Sequence, residues 1–322
     1  MPRMLAPPRQ DVIERAFIER KAELDAAHRR RPGGLRPFLL SWLQGVTRSP
    51  RPARPTMLTE VARGDLHATW VGHSTVLLRY AATRLLTDPV LGRSVAGIRR
   101  VQEAATVDVT RVDLCLISHA HHDHLHLPSL RRLPRVTTVV VPPRCADLVG
   151  DLGFGRVVEL AAGETLAHRG VEVTAVPARH GGVRSVLDWR RRGCCGYVVR
   201  GDGPTIYFAG DTGYFSGFVD IGRRFAPELA ILPVGSYRPL AFRVFHMSPL
   251  DAVYAFEDLG ARALLPVHHA TFPLSYEPLD EPAAWLRDLQ QSRGLGEKLW
   301  LLEPGETRVL KESLHSPSAL GR

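Results

Sequence analysis

The residues best suited to chemistry lie in one run, Ser118-His119-Ala120-His121-His122-Asp123-His124. Imidazole nitrogen beside carboxylate oxygen suits a borderline divalent cation, zinc first, with iron or manganese as alternatives. His119 and His121 are two residues apart, so in an extended segment both project to one side and can chelate one cation. Asp123 and His124 follow a turn of the chain and can face a second cation. The mostly apolar run Val112-Asp113-Leu114-Cys115-Leu116-Ile117 precedes the cluster and reads as a buried strand. Leu127-Pro128-Ser129-Leu130-Arg131-Arg132-Leu133 follows it and reads as a short helix with proline in its first turn. The cluster is therefore expected at a strand's C-terminal end and a helix mouth, where open α/β sheets hold ligands.

A pair of cations needs more ligands than one short run supplies, and the chain offers others after strand-like segments. His180 follows Val171-Glu172-Val173-Thr174-Ala175-Val176-Pro177, Asp211 follows Thr205-Ile206-Tyr207-Phe208-Ala209, and His268 follows Ala263-Leu264-Leu265-Pro266-Val267. Each has a plain structural alternative, a capping Asp in a glycine-rich turn or a core His with one hydrogen bond. Their shared position after a buried strand favours the ligand reading. His246, in Phe245-His246-Met247-Ser248-Pro249, lies just before a helix N-cap on a loop that could reach such a site. There it could position a reacting group or protonate a leaving oxygen; a solvent-exposed loop histidine is the alternative.

The elements that must position these groups are short strands broken by Gly, Asp and Pro signals. They are expected at 66–72, 75–80, 84–87, 113–118, 136–141, 171–176, 196–200, 204–209, 229–233, 263–267 and 298–302. Gly201-Asp202-Gly203 reads as a hairpin turn. Helices are expected at 127–133, 143–150, 248–259 with Ser248 as N-cap, and 281–293. Strands with helices between them argue for an α/β layered domain. Ahead of it, Asp11 to Arg31 reads as an amphipathic helix ending at Pro32-Gly33-Gly34, and residues 48–55 read as a proline-rich linker that cannot be helical.

The chain has 322 residues, of which 44% are hydrophobic and 23% charged, which excludes collagen-like, disordered and disulfide-framework classes. Cys115, Cys145, Cys194 and Cys195 are too few and too irregular for a framework, and a reducing, cytoplasmic setting is expected. No apolar stretch approaches the ~20 residues needed to span a bilayer, and the start has no secretory-signal pattern. Residues 1–56 hold 12 of the 42 basic and 5 of the 33 acidic residues, so they contribute +7 of the formal +9. A solvated arm is the plain explanation, and attraction to an anionic surface the sharper one. Phe38, Leu39, Trp42, Leu43 and Val46 recur at helical spacing beside that basic cluster. Such a stripe can lie in a membrane interface at the inner face of the cell membrane, or pack the segment onto the main domain; packing is expected.

Together these residues resemble the metallo-β-lactamase superfamily of dinuclear metallohydrolases. Within it they are most similar to the branch containing N-acyl-phosphatidylethanolamine-hydrolysing phospholipase D and the ascorbate-6-phosphate lactonase-like proteins. The hallmark His-x-His-x-Asp-His stands as His119, His121, Asp123 and His124. The further shared motifs are His67-Ala68-Thr69-Trp70-Val71-Gly72-His73-Ser74-Thr75, Leu86-Thr87-Asp88-Pro89, Phe208-Ala209-Gly210-Asp211-Thr212-Gly213-Tyr214 and Pro266-Val267-His268-His269-Ala270-Thr271-Phe272. The match runs from about residue 66 to 310.

The resemblance implies a four-layer αββα sandwich over 66–322, with residues 1–65 as an N-terminal helical extension and linker. It implies that His119, His121 and His180 hold one metal, that Asp123, His124 and His268 hold a second, and that Asp211 bridges them. Asp88 would orient a ligand histidine, although a turn-forming Asp is an equal alternative. Two cations sharing Asp211 would share a water and make hydroxide available at neutral pH, with Asp123 accepting its hydrogen bond or relaying its proton. Two departures stand out. His126 replaces an Asp of the phospholipase, and His269 replaces a Trp and could compete with His268. The first function expected is a phosphodiesterase of the phospholipase D type on lipid. The alternative is a lactonase, esterase or phosphodiesterase on a small soluble substrate. A nuclease ranks lower, because the basic excess is confined to the N-terminus and nucleic acid is not an expected partner.

Overall fold

The computed structural model describes residues 20, 22–28, 35–47, 49–57, 59–80, 82–185, 188 and 192–312. Fifteen strands are found among them. In chain order they are β1 (Leu66–Gly72), β2 (Thr75–Arg79), β3 (Arg84–Thr87), β4 (Ser94–Val95), β5 (Ile98–Arg99), β6 (Leu114–Leu116), β7 (Thr138–Val141) and β8 (Arg156–Glu159). They continue with β9 (Thr165–His168), β10 (Val171–Val176), β11 (Gly196–Arg200), β12 (Ile206–Phe208), β13 (Leu229–Pro233), β14 (Ala263–Val267) and β15 (Thr307–Leu310). One sheet runs β15-β1-β2-β3-β6-β7-β8, the other β14-β13-β12-β11-β10-β9, and β4 and β5 form a small ribbon.

Alternation along the strands sorts their side chains into three apolar layers. Trp70, Val76, Leu78 and Leu114 of the first sheet meet Val173, Tyr197, Phe208 and Ile231 of the second in a shared core. The intervening residues of the first sheet, Leu77, Leu86, Cys115 and Val139, face outward under Leu130 and Leu133. Those of the second, Val198, Tyr207, Ala230 and Leu264, lie under Phe218, Ile221, Val253, Phe256 and Leu286. These last belong to the helices Gly217–Phe225, Pro249–Leu259 and Glu281–Ser292. Strands such as β13 and β14, buried at every position, read as unbroken apolar runs because both their faces are covered. This is the expected αββα order of layers.

Several local expectations are corrected. Residues 298–302 are not a strand: Leu299 makes only an isolated bridge to Leu264, and β15 closes the sheet instead, beyond the Pro304-Gly305 turn. In place of a helix at 143–150 there are two 3₁₀ turns, Ala146–Leu148 and Gly150–Leu152. β8 and β9 are half exposed, so they leave no apolar run to read. The helix Gly217–Phe225 was not expected, although Phe218, Ile221 and Phe225 recur on its buried face. Ser248 does cap its helix, in a reciprocal capping box with Asp251.

Residues 22–28 are helical; the expected start of that helix and its stop at Pro32-Gly33-Gly34 lie outside the described residues. Leu24 and His28 of this segment are buried in the helix-side core. Arg20 reaches Tyr214 and Asp258, and Glu23 meets Arg293 and Tyr254. The proline-rich stretch is extended but is not a free linker. Its backbone pairs with the domain, Arg51 N–H donating to Val101 O and Arg54 N–H to Pro304 O, each within 2.9 Å. The helix Leu35–Thr47 forms as its apolar spacing suggests, but the expected packing of its stripe is not found. Phe38 stands edge-on to Tyr276, whereas Leu35, Leu39, Leu40, Trp42 and Leu43 remain 44–61% exposed. The Val46 side chain lies outside the described ones. No helix among the described residues is long and apolar enough to cross a membrane.

Candidate metal centre

One edge of the sandwich gathers chain reversals from both sheets. Asp88 follows β3 and the run Ser118 to His124 follows β6; His180, Asp211 and His268 follow β10, β12 and β14. The parallel pairing of β3 with β6, and of β12, β13 and β14 with one another, puts most of these ends on the same side. Two donor groups hold the hallmark residues, and His180, Asp211 and His246 form a further one that could hold a cation. Around the first, His121 Nδ1 lies 2.8 Å from His119 Nε2 and 3.3 Å from His180 Nε2. Around the second, Asp211 Oδ2 lies 3.2 Å from both His124 Nε2 and His268 Nε2. Asp123 Oδ2 is 3.5 Å and 3.4 Å from the same two nitrogens. Ligand atoms sharing one tetrahedral cation at about 2.0–2.2 Å are separated by roughly 3.2–3.6 Å, so the second group already has the required spacing.

Hydrogen bonds behind the rings aim them. His124 Nδ1 donates to Asp88 Oδ2 at 2.6 Å, which leaves Nε2 bare. Ser118 gives Asp88 both its backbone N–H and its hydroxyl, at 2.7 and 2.5 Å. That leaves the Ser118 oxygen to accept from His119 Nδ1 at 2.9 Å and frees His119 Nε2. His180 Nδ1 donates to Phe245 O at 3.0 Å. Each partner selects the tautomer whose lone pair faces the cluster.

His124 Nε2, Asp211 Oδ1, His246 Nδ1 and His268 Nε2 are buried with no hydrogen-bond partner. An unsatisfied buried polar atom costs about 1–3 kcal/mol, and a shared cation would satisfy those of His124, Asp211 and His268. The residues fit divalent metal. The electrostatics agree. Burial would lower the His124 pKa, but Asp211, Asp123 and Asp88 override it and hold it well above the usual imidazole range. The carboxylates thus draw positive charge to Nε2, where a cation would take the place of a proton. Burial would likewise raise the Asp211 carboxyl, yet His124 and His268 hold it well below its usual value. Burial takes His180 down to about 3 and His246 to about 4, against the pull of Asp211. Both rings are therefore neutral and can use a lone pair or donate an N–H.

All seven expected ligands meet here. His268 faces Asp123 and Asp211, whereas His269 turns away and stacks on Trp70 with ring centres 4.9 Å apart. His246 stands at the edge, its Nδ1 3.6 Å from Asp211 Oδ2. His126 Nδ1 pairs with Ser129 Oγ at 2.7 Å, outside the cation-capable groups found among the described residues. Cys194 donates its thiol to His180 O at 3.0 Å, and burial raises its pKa. It braces the loop that carries His180.

Two participants escaped the sequence reading. His73 Nε2 lies 3.1 Å from Asp123 Oδ2 and joins the second group. Its motif was visible, and its backbone φ of 54° is the rare left-handed conformation for a non-glycine. Arg184 Nη1 donates to the carbonyls of Ala120 and Leu125, at 2.9 and 2.6 Å, and so braces the hallmark turn. Nothing local distinguishes it from the other arginines of its Arg-rich loop.

Comparison with known proteins gives a consistent answer. Residues 83–269 match the model of the beta-lactamase superfamily domain. An N-acyl-phosphatidylethanolamine-hydrolyzing phospholipase D of Caenorhabditis elegans is 32% identical over 255 residues, 72% of this chain and 72% of its own. A metal-dependent hydrolase of Methanopyrus kandleri is 31% identical over 246 residues, 75% of this chain and 99% of its own. Among solved structures, a metallo hydrolase of Ignicoccus hospitalis superposes with a TM-score of 0.59 at 24% identity, covering 77% of this chain and 100% of that one.

Proposed function

The chain belongs to the beta-lactamase superfamily and is a metal-dependent hydrolase, and from that premise we propose that it is a dinuclear phosphodiesterase acting on an N-acylated ethanolamine phospholipid. In this reading His119, His121 and His180 hold one divalent cation, zinc first, Asp123, His124 and His268 hold the other, and Asp211 serves both. Divalent cations bound there supply Lewis acidity and bring the pKa of a water to about 7, so hydroxide is available at neutral pH. Asp123, 17% exposed, accepts the hydrogen bond of the attacking water and takes its remaining proton. His246, neutral and 17% exposed, donates an N–H to a phosphoryl or leaving oxygen and so fixes the scissile group.

The observation that carries the lipid assignment is the lip of the site. Leu240, Phe242, Val244 and Phe245 are 43–49% exposed on the segment that delivers His246, and the Phe245 ring packs edge-on to His180. Apolar side chains held open to water beside a polar centre suit a substrate with acyl chains and a phosphate. The outward stripe of Leu35–Thr47 extends the reading to peripheral contact with an anionic membrane face, in a cytoplasmic setting.

The test is turnover of an N-acyl phosphatidylethanolamine in mixed micelles, beside bis-p-nitrophenyl phosphate and a panel of lactones, with metal counted per chain. Lipid and diester turnover with two metals per chain supports the proposal. Loss of both activities is expected in His121→Ala and Asp211→Ala, together with lower metal content. Turnover of lactones alone would replace it by the small-substrate reading.

A further inference from the structure

The loop that carries His246 has little of its own to hold it. It opens with the 3₁₀ turn Leu240–Val244, and Leu240, Ala241, Phe242, Val244 and Phe245 all face water. One does not. Arg243 turns inward, its side chain 13% exposed. Its Nη2 and Nε donate to Asp251 Oδ1 and Oδ2 at 2.9 and 3.2 Å, and its Nη1 donates to Asp25 Oδ1 at 2.7 Å. Asp251 also accepts the Ser248 N–H and hydroxyl, at 2.9 and 2.6 Å. One buried carboxylate thus ties down the residues on either side of His246. From the turn itself, Phe242 O accepts the His246 N–H at 2.9 Å, and Phe245 O accepts from His180. Displacing Arg243 would shift both rings.

Asp25 is on the helical segment seated by Leu24 and His28, more than 200 residues away in sequence. We infer that Arg243 is a positioning residue for the site, and that Asp25 makes the N-terminal segment a working part of it. The inference rests on the role of His246 given above. A two-toothed arginine–carboxylate pair has fixed geometry as well as charge, and this one spans the gap between the catalytic loop, its capping box and a helix outside the expected hydrolase domain.

The experiment compares Arg243→Gln, Arg243→Lys, Asp25→Asn and His246→Gln in the full chain. The measurements are kcat and KM per metal-loaded chain on bis-p-nitrophenyl phosphate and on a dialkyl diester, with melting temperature alongside. Arg243→Gln is expected to lose about 10- to 100-fold in kcat, with KM near wild type. The loss should be larger for the dialkyl diester, whose leaving oxygen needs the His246 hydrogen bond more. Arg243→Lys should lie between, and Asp25→Asn, whose carboxylate is 44% exposed and safe to alter, should move the same way by a smaller factor. Wild-type kcat in Arg243→Gln and Asp25→Asn while His246→Gln is impaired overturns the inference. So does an equal loss on both substrates, which would mark a merely structural role. Wild-type kcat in His246→Gln removes the underlying reading instead.

Discussion

His124 and Asp88 share a 2.6 Å hydrogen bond between Nδ1 and Oδ2, with both side chains wholly buried. The carboxylate fixes the ring's tautomer and turns its bare Nε2 towards Asp123 and Asp211, and it collects Ser118 as well. Asp88 therefore acts on two imidazoles, directly on His124 and through Ser118 on His119.

Asp88→Asn should lower metal affinity by about 10- to 100-fold, because an amide can present its NH2 to the ring or to Ser118 and so scrambles the tautomer. Competition with a chromophoric chelator measures this. Affinity equal to wild type would show that burial alone orients the rings.

Acid sensitivity should trace in part to Asp251. Burial would raise its carboxyl, but His28 and Arg243 hold it down at about 2 against an ordinary 3.8. Its contribution, roughly 2 kcal/mol, is fully present above about pH 4 and is lost as pH falls towards 2. Urea titrations across that range should show a shallower acid decline in Asp251→Asn, from a lower plateau. An unchanged slope would assign the decline to other carboxylates.

Gly213 lies two residues beyond Asp211, and a Cβ there would stand 2.2 Å from Val244 O. Gly213→Ala should push the His246 loop outward, costing about 1–3 kcal/mol of stability and several-fold in kcat. A melting curve and turnover both at wild-type values would mean that the loop has room to give.

Leu39→Asp combined with Trp42→Asp should weaken binding to vesicles containing phosphatidylglycerol by about tenfold or more, since each side chain contributes about 1.5–3 kcal/mol when buried. Turnover of a soluble diester should change far less. Unchanged co-sedimentation with vesicles would take the membrane role away from this helix.

The candidate donor set was legible in the chain because histidines and carboxylates able to share a cation leave a type-and-spacing signature that needs no fold. His119, His121, Asp123 and His124 are crowded into one turn, and His180, Asp211 and His268 each follow an apolar run whose burial is written in its composition. The central strands were equally readable. β8 and β9 were not, because edge strands bury too little to mark themselves, and β15 was missed because it alternates only weakly beside the more apolar 298–302. Tertiary structure alone decided between His268 and His269. Adjacent residues carry the same chemistry, and only the left-handed turn after β14, with His268 at φ 61°, sends one ring to the carboxylates and the other onto Trp70. It alone placed His73 and Arg184, whose partners are 50 or more residues away, and joined Asp25 to Arg243. Spacing encodes what a short segment can hold, whereas contacts between distant segments exist only once two sheets have closed on a common core.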